Sequence, residues 1–182
     1  VDGLKEYEVM NDDSHTIAIT LFRAFTYIIQ PSSVQDYSHQ KGSQCLGAHE
    51  YRLAFYPHSG NWKQGNVYQE ALNFNNDIRL FEIGKATGDL PPETSFLKIE
   101  PEHLIFSCLK QPECGRGKSL ILRLYNPTDE NIEGKVQLFK SIKEVQQVTL
   151  EEKFIQKNEL SDSNSFHINI GKKKIVTFLL KF

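Results

Sequence analysis

Hydrophobic and polar positions alternate through the second half of the chain and predict a series of short β-strands. In residues 119–125, leucines at every second position share one face, while Ile121, Arg123 and Tyr125 share the other. Predicted strands recur about every ten residues with turn signals between them, which favours a β-sandwich over alternating strands and helices. The predicted strands of this half are 94–100, 104–110, 119–125, 134–140, 145–150, 166–170 and 174–181.

The first half of the chain has a less regular pattern. Residues 15–29 are apolar on both faces, which predicts a central strand covered on each side; an amphipathic helix is the rival interpretation, but the β-branched content counts against it. Short strands are also expected at 6–10 and 78–83. Residues 65–76 predict a short helix or a turn-rich crossing, and 30–47 predict a long loop.

The stretch 44–62 concentrates aromatic and polar residues. Residues 49–56 alternate as a half-buried strand would, and Pro57 ends it because proline cannot donate to the ladder. Residues 58–61 form a turn cluster just before Trp62. His58 beside Trp62 could line a sugar-stacking edge, but a structural turn is the simpler interpretation.

Composition narrows the class of protein. The 182 residues are 39% hydrophobic and 24% charged, which is typical of one globular domain, and the net charge of −2 gives no field that would recruit nucleic acid. Three cysteines argue against a disulfide framework and favour a reducing compartment. No signal peptide or bilayer-spanning run is present, so we expect no membrane association; the absence of an initiator Met suggests a fragment of a longer polypeptide.

No catalytic or metal-binding constellation stands out. Cys108 and Cys114 are too far apart for a usual zinc pair, and Cys108 is expected to be buried. Cys45 would need a base such as His49 or His58 to act as a nucleophile, and sequence spacing cannot establish that proximity. His49 and His58 would lie on opposite strand faces, which makes a shared metal unfavourable.

Seven short motifs follow one another along the chain, at residues 3–9, 16–24, 44–51, 55–62, 95–97, 105–110 and 121–127. Taken in order, they resemble the C-terminal β-domain of glycoside hydrolase family 38 α-mannosidases, and most closely its bacterial, cytoplasmic branch. The ordered series, rather than any single motif, carries the resemblance, which covers most of residues 3–127 and fades after Glu133.

The resemblance implies an all-β fold: an antiparallel β-sandwich, supersandwich-like and galactose mutarotase-like, with one short helix and long loops. It implies a single C-terminal domain over 1–182, with a sub-boundary near 127–133. The parent enzyme would be a retaining hydrolase of α-mannosides, located in the bacterial cytoplasm. Its zinc ion and catalytic carboxylates would belong to an N-terminal barrel, so no catalytic or metal residue is expected in this chain.

The expected partners are that barrel and a mannose-containing carbohydrate, and a homodimer is left open. A structural role at the domain interface is the alternative for each residue expected at the rim of the substrate cleft. A second function, a non-catalytic carbohydrate-binding or interaction sandwich, also remains open. The expected rim residues are Asp2, Gly3, Leu4, Glu6, Arg23 and His58.

Overall fold

The computed structural model describes residues 6–30, 33–36, 38–115 and 117–182, with residues 28–30 described by their backbone alone. Most regular structure in this part of the chain is β-strand, with one α-helix, α1, at Val67–Asn75 and a 3-10 turn at Lys41–Gln44. The strands are β1 Tyr7–Val9, β2 Ile17–Ile19, β3 Tyr27–Gln30, β4 Ser33–Asp36, β5 Leu97–Glu100, β6 Ile105–Lys110, β7 Ser119–Tyr125, β8 Ile132–Leu138, β9 Glu144–Val148, β10 Phe154–Asn158, β11 Leu160–Asp162, β12 Ser165–Ile170 and β13 Ile175–Lys181.

Two antiparallel sheets form a β-sandwich. The larger has the strand order β10-β9-β13-β7-β6 and the smaller the order β11-β12-β8-β5. The hairpin predicted between 104–110 and 119–125 is confirmed by the antiparallel pairing of β6 with β7. The all-β sandwich predicted from the sequence is therefore confirmed, whereas its finer likeness to supersandwich and mutarotase folds stays a prediction.

The core lies between the inner faces of the two sheets. Alternation places Leu122 and Leu124 of β7 inward, where Leu122 lies opposite Phe178 of β13. Phe178 meets Phe166 of the facing sheet edge-to-face, with ring centroids 5.2 Å apart, a favourable aromatic geometry. The other buried members are Leu104, Ile132, Val136, Leu138, Ile142, Val145, Ile168, Ile170 and Leu180.

The larger sheet is also apolar on its opposite face. Ile121, Val148 and Leu179 form a second buried cluster there. Beside it, the Nε–H of Arg123 donates to Thr177 Oγ1 at 3.2 Å, and Arg123 Nη2 donates to the Leu150 carbonyl at 3.4 Å. These bonds hold the connection after β9 close to β7 and β13.

The described residues fall into two compact units. One contains the chain up to Pro57 together with Asn73–Asp77, and the other contains His58–Leu72 and Ile78–Phe182. The first unit carries the hairpins β1–β2 and β3–β4, and none of its described side chains is buried. The second unit carries the sandwich. The single-domain prediction and the sub-boundary near 127–133 stay predictions.

The sequence predictions were accurate in the second half and poor in the first. The strands predicted at 49–56 and 78–83 are wrong, since neither segment is strand, and 15–29 is reduced to β2 and the first residues of β3. A strand requires a paired neighbour, and alternation alone does not supply one. The helix predicted within 65–76 is confirmed as α1. β4, which lies inside the loop predicted at 30–47, was not predicted, and neither were β10 and β11. Cys108 is half-buried rather than buried, and the register shifts between Phe106 and Cys108.

Candidate functional site

The structure brings two of the predicted rim residues together. Pairing of β1 with β2 sets the Thr20 amide 2.9 Å from the Glu6 carbonyl, and Arg23 Nη2 lies 3.0 Å from Glu6 Oε2. Both side chains are more than half exposed, so the ion pair contributes at most about 1 kcal/mol. The role of Glu6 and Arg23 at a substrate cleft stays a prediction.

The other predicted rim residues are not part of this pair. Asp2, Gly3 and Leu4 lie outside the described residues. His58 belongs to the second unit, where its ring packs on the backbone of Gly65. A Cβ atom on Gly65 would lie 2.5 Å from His58 Cγ, so glycine is required there. The Nδ1–H of His58 donates to the Ser59 carbonyl at 3.3 Å.

The turn that follows His58 is closed by reciprocal side-chain bonds. Asn61 Oδ1 accepts from the amides of Lys63 and Gln64 at 3.1 and 3.0 Å, and Gln64 Oε1 accepts from the Asn61 amide at 2.9 Å. This exchange satisfies free backbone donors in the manner of a capping box. Gly60 has a φ of +72°, a left-handed conformation that favours glycine. We call residues 58–66 the Asn61 turn; it leads directly into α1.

An aromatic cluster forms around Trp62 of the Asn61 turn. The Trp62 and Tyr68 rings meet edge-on with centroids 5.3 Å apart, and Tyr68 meets Tyr125 in the same way at 6.5 Å. Lys173 Nζ lies 6.0 Å from the Trp62 ring centroid, within cation–π distance, and donates to the Pro127 carbonyl at 2.7 Å. Burial raises the pKa of the Tyr125 phenol, and Tyr68 adds to the rise.

Polar contacts join the Asn61 turn to loops of the sandwich. Lys63 Nζ lies 2.7 Å from Glu130 Oε2, and Asn66 Nδ2 donates to Glu102 Oε2 at 3.4 Å. Together with the aromatic cluster, these contacts attach the turn to the sandwich. The arrangement is suited to holding a surface in place, and it shows no nucleophile activated by a base.

The cysteine–histidine hypothesis gains no support from the geometry. Cys45 Sγ donates to the Arg23 carbonyl at 3.3 Å, while the Nε2–H of His49 donates to the Cys45 carbonyl at 2.7 Å. The His49 ring stacks on Phe22 and Tyr51, with centroids 5.1 and 6.3 Å away. The imidazole nitrogen nearest Cys45 is therefore a donor, and a base would need an acceptor at that position.

Across residues 6–30, 33–36, 38–115 and 117–182, no group of three or more His, Cys, Asp or Glu side chains is arranged to hold a metal ion. No helix in the same ranges is long and apolar enough to cross a membrane. Cys45, Cys108 and Cys114 are free thiols.

The sequence of the sandwich is similar to a known domain family. Residues 103–178 match the family model of the glycosyl hydrolases family 38 C-terminal beta sandwich domain. The matched segment covers less than half of the chain. It runs from just before β6 into β13 and so includes strands of both sheets. The match continues well past Glu133, so the expectation that the resemblance fades there is wrong.

One similar protein is Alpha-mannosidase 2C1 of Mus musculus. This chain is 28% identical to it over 90 residues, which are 48% of this chain and 8% of the mouse protein. The chain therefore aligns with only a small part of that relative's length.

Sequence reasoning found Trp62 but missed the partners that surround it. Tyr68, Tyr125 and Lys173 come from α1, from the end of β7 and from the turn before β13. No short-range spacing links these positions. Tyr125 and Lys173 come close because β7 pairs with β13, and this pairing places the Asn126 amide 2.9 Å from the Lys174 carbonyl.

Proposed function

We propose that this chain is the C-terminal β-domain of an α-mannosidase, a retaining glycoside hydrolase of α-mannosides, and that it supports a separate N-terminal catalytic barrel of the same polypeptide. The observation that carries the proposal is the family 38 match across strands of both sheets. The name of the mouse relative, an alpha-mannosidase, supports the same activity. Three free thiols favour a reducing compartment, in keeping with a bacterial cytoplasmic enzyme.

Exposed apolar side chains support the presence of a partner domain. Ile78 and Leu80 are 89% and 90% exposed, and Phe81 and Ile83 beside them are open to a similar degree. These residues lie in a segment without regular secondary structure, 78–83, that pairs with no strand in the described chain. An exposed run of this kind is typical of an interaction surface, and we assign it to contact with the barrel.

The proposal places the reaction chemistry outside this chain. Retaining hydrolysis needs a carboxylate nucleophile and a carboxylic acid flanking the scissile bond, and zinc in the parent would orient sugar hydroxyls. The described residues offer no metal-binding group, so they do not fit the zinc ion. For Glu6, Arg23 and His58 we propose a place at the rim of the substrate cleft, where each would contact or position a mannose-containing substrate.

The direct test assays the full-length parent on an aryl α-mannoside. We expect release of the aryl alcohol, loss of release after treatment with a chelator, and recovery on addition of zinc. The 182-residue chain assayed alone should release none. A full-length protein that shows no zinc-dependent release would overturn the proposed activity.

A second experiment tests the supporting role. Leu80→Asp in the full-length parent should lower its unfolding temperature, because a charge would be placed in the contact with the barrel. The same substitution in the 182-residue chain should have little effect, since Leu80 is exposed there. Leu150→Asp, at an exposed leucine of the sandwich, is the matched control and should leave both proteins unchanged. An unchanged parent carrying Leu80→Asp would contradict the assigned surface.

A further inference from the structure

A polar cleft opens between the two sheets at the side where β9 and β10 face β8 and β12. Its volume is about 410 Å³, within the range of small-molecule sites. Its apolar part is formed by Ile168 and Phe178, both of which also belong to the core. The cleft lies wholly in the second unit and is separate from the Asn61 turn.

Amide side chains occupy inward positions of the larger sheet in this cleft. Gln147 lies opposite Phe178, and Asn158 lies opposite Val145. Because directly paired residues share a face, and Phe178 and Val145 are core residues, both amides are on the inward face. Gln156 pairs with Gln147 and shares that face. Inward positions of a sandwich are ordinarily apolar, so the half-buried amides of Gln147 and Asn158 require an explanation, whereas Gln156 is exposed at the sheet edge.

The hydrogen bonding of these amides is incomplete. Gln156 Nε2 donates to Gln147 Oε1 at 3.0 Å, which orients one pair. Asn158 Oδ1 is buried and has no hydrogen-bond partner in the described chain. An unmatched buried acceptor is unfavourable, and rotation of the Asn158 side chain toward the cleft would let a ligand donate a hydrogen bond to it.

The remaining lining restricts the chemistry of that ligand. No lysine or arginine is among the described residues that line the cleft, and Glu133 is its one carboxylate. An anion would therefore find at most the His167 imidazole as a cationic partner, and the residues present form no metal-binding group. Amides both donate and accept hydrogen bonds, as hydroxyl groups do, while Ile168 and Phe178 offer apolar contact to C–H groups.

We propose that this cleft binds a small, neutral, polyhydroxylated ligand, either a cyclic hexose or an acyclic polyol. Its hydroxyl groups donate to Asn158 Oδ1 and exchange hydrogen bonds with Gln147 and Gln156. The inference rests on the cleft alone and does not depend on the proposed function, since a supporting domain of any enzyme could carry such a site.

The test is a titration of the isotopically labelled 182-residue chain, followed by NMR, with D-mannose in one series and sorbitol in another. We expect saturable shifts of the side-chain amides of Gln147, Gln156 and Asn158 with a Kd on the order of 1–10 mM. Saturation by D-mannose alone identifies a cyclic sugar site, and saturation by sorbitol identifies a polyol site. No saturable shift from either probe up to about 100 mM would overturn the proposal.

Variants separate the cleft from the rest of the surface. Asn158→Leu should weaken binding at least about tenfold by removing the unmatched acceptor, and Gln156→Leu, at an exposed edge position, should weaken it by a smaller factor. Gln156→Leu keeps the test usable if Asn158→Leu fails to fold. Gln137→Leu, an exposed glutamine of β8, is the matched control and should bind as the wild type does. Equal binding by the wild type and Gln156→Leu would overturn the site.

Discussion

The sandwich and the first unit use similar residues with opposite results. In the sandwich, Phe166 is 0% exposed and contacts Phe178 across the two sheets. In the first unit, Phe55 is 97% exposed although it lies in an equally apolar, alternating stretch. The difference is the presence of a covering sheet: alternation yields a buried face only where a second layer lies over it.

This contrast separates two kinds of stability within one chain. The sandwich holds its own core, so its stability should depend on buried contacts between its sheets. The described part of the first unit holds no buried side chain, so substitution of its exposed apolar residues should change the stability of this chain little. Substitutions that compare matched residues in buried and exposed positions test this division.

The largest effect is expected from truncating the core aromatic. Phe166→Ala should lower the free energy of unfolding by about 3–5 kcal/mol, because it leaves a cavity and removes the contact with Phe178. Phe55→Ala should change it by less than about 0.5 kcal/mol. Denaturant titration monitored by Trp62, the single tryptophan of the chain, measures both. Equal losses would show that the two regions are not different in kind.

A buried amide gives the next largest effect. Asn126 is 1% exposed. Its Nδ2 group donates to the carbonyls of Glu130, Ile170 and Gly171 at 2.7, 3.1 and 3.1 Å. Its Oδ1 atom accepts from the amide and the hydroxyl of Thr128. Asn126→Ala should cost about 2–4 kcal/mol of unfolding free energy, because several buried groups lose partners at once.

The control for that variant is an exposed asparagine with one backbone contact. Asn131 Oδ1 accepts from the Lys172 amide at 3.2 Å, and Asn131→Ala should cost less than about 1 kcal/mol. The same denaturant titration compares the two. If Asn126→Ala proved as mild as Asn131→Ala, the loop network would not contribute to the stability of the sandwich.

The sequence predicted the strands of the sandwich better than the structure of the first unit. The strand 119–125 was predicted with its observed bounds because its leucines alternate and its partners cover it. The strand at 49–56 was wrong because the same alternation there meets no paired neighbour. β10 and β11 were missed because β10 is exposed along most of its length and β11 is three residues long, so neither has a full alternating pattern.

The candidate sites were predictable only in part. Gly60 and Asn61 mark a turn, and a turn was predicted at 58–61. The inward amides Gln147 and Asn158 could not be recognised, because their facing depends on pairing with β13 and between β9 and β10. A single sequence does not show which strands pair, and so it does not show which face such a residue occupies.

Close packing at the junction of β5 and β8 should give a moderate effect. A Cβ atom on Gly134 would lie 2.4 Å from the Glu100 carbonyl oxygen and 2.6 Å from Leu104 Cδ1. Because a backbone atom cannot simply rotate away, Gly134→Ala should cost about 1–3 kcal/mol. Gly115→Ala, with open space around the added carbon, should be neutral. Thermal unfolding of both variants measures the difference; a neutral Gly134→Ala would mean that strands β5 and β8 move apart easily at this point.

The smallest effect concerns acid stability at an exposed edge of the sandwich. The Ser165 hydroxyl donates to Asp162 Oδ2 at 2.8 Å, and this bond, with Lys135 Nζ at 3.2 Å, holds the pKa of Asp162 below its ordinary value of 3.8. A carboxyl whose pKa is lowered on folding stabilises the folded state above pH 3.8, and this contribution is lost as the pH falls through the folded-state pKa.

Asp162→Asn removes this titration while keeping an oxygen that can accept from Ser165. The variant should therefore be less stable than the wild type at neutral pH, and the two should converge as the wild-type carboxyl becomes protonated below pH 3.8. Denaturant midpoints measured from neutral to acidic pH provide the comparison. A constant difference at every pH would show that Asp162 acts by its shape and not by its charge, and other carboxyls whose pKa is lowered, Glu100 and Glu144, would then be the candidates for the acid dependence of the sandwich.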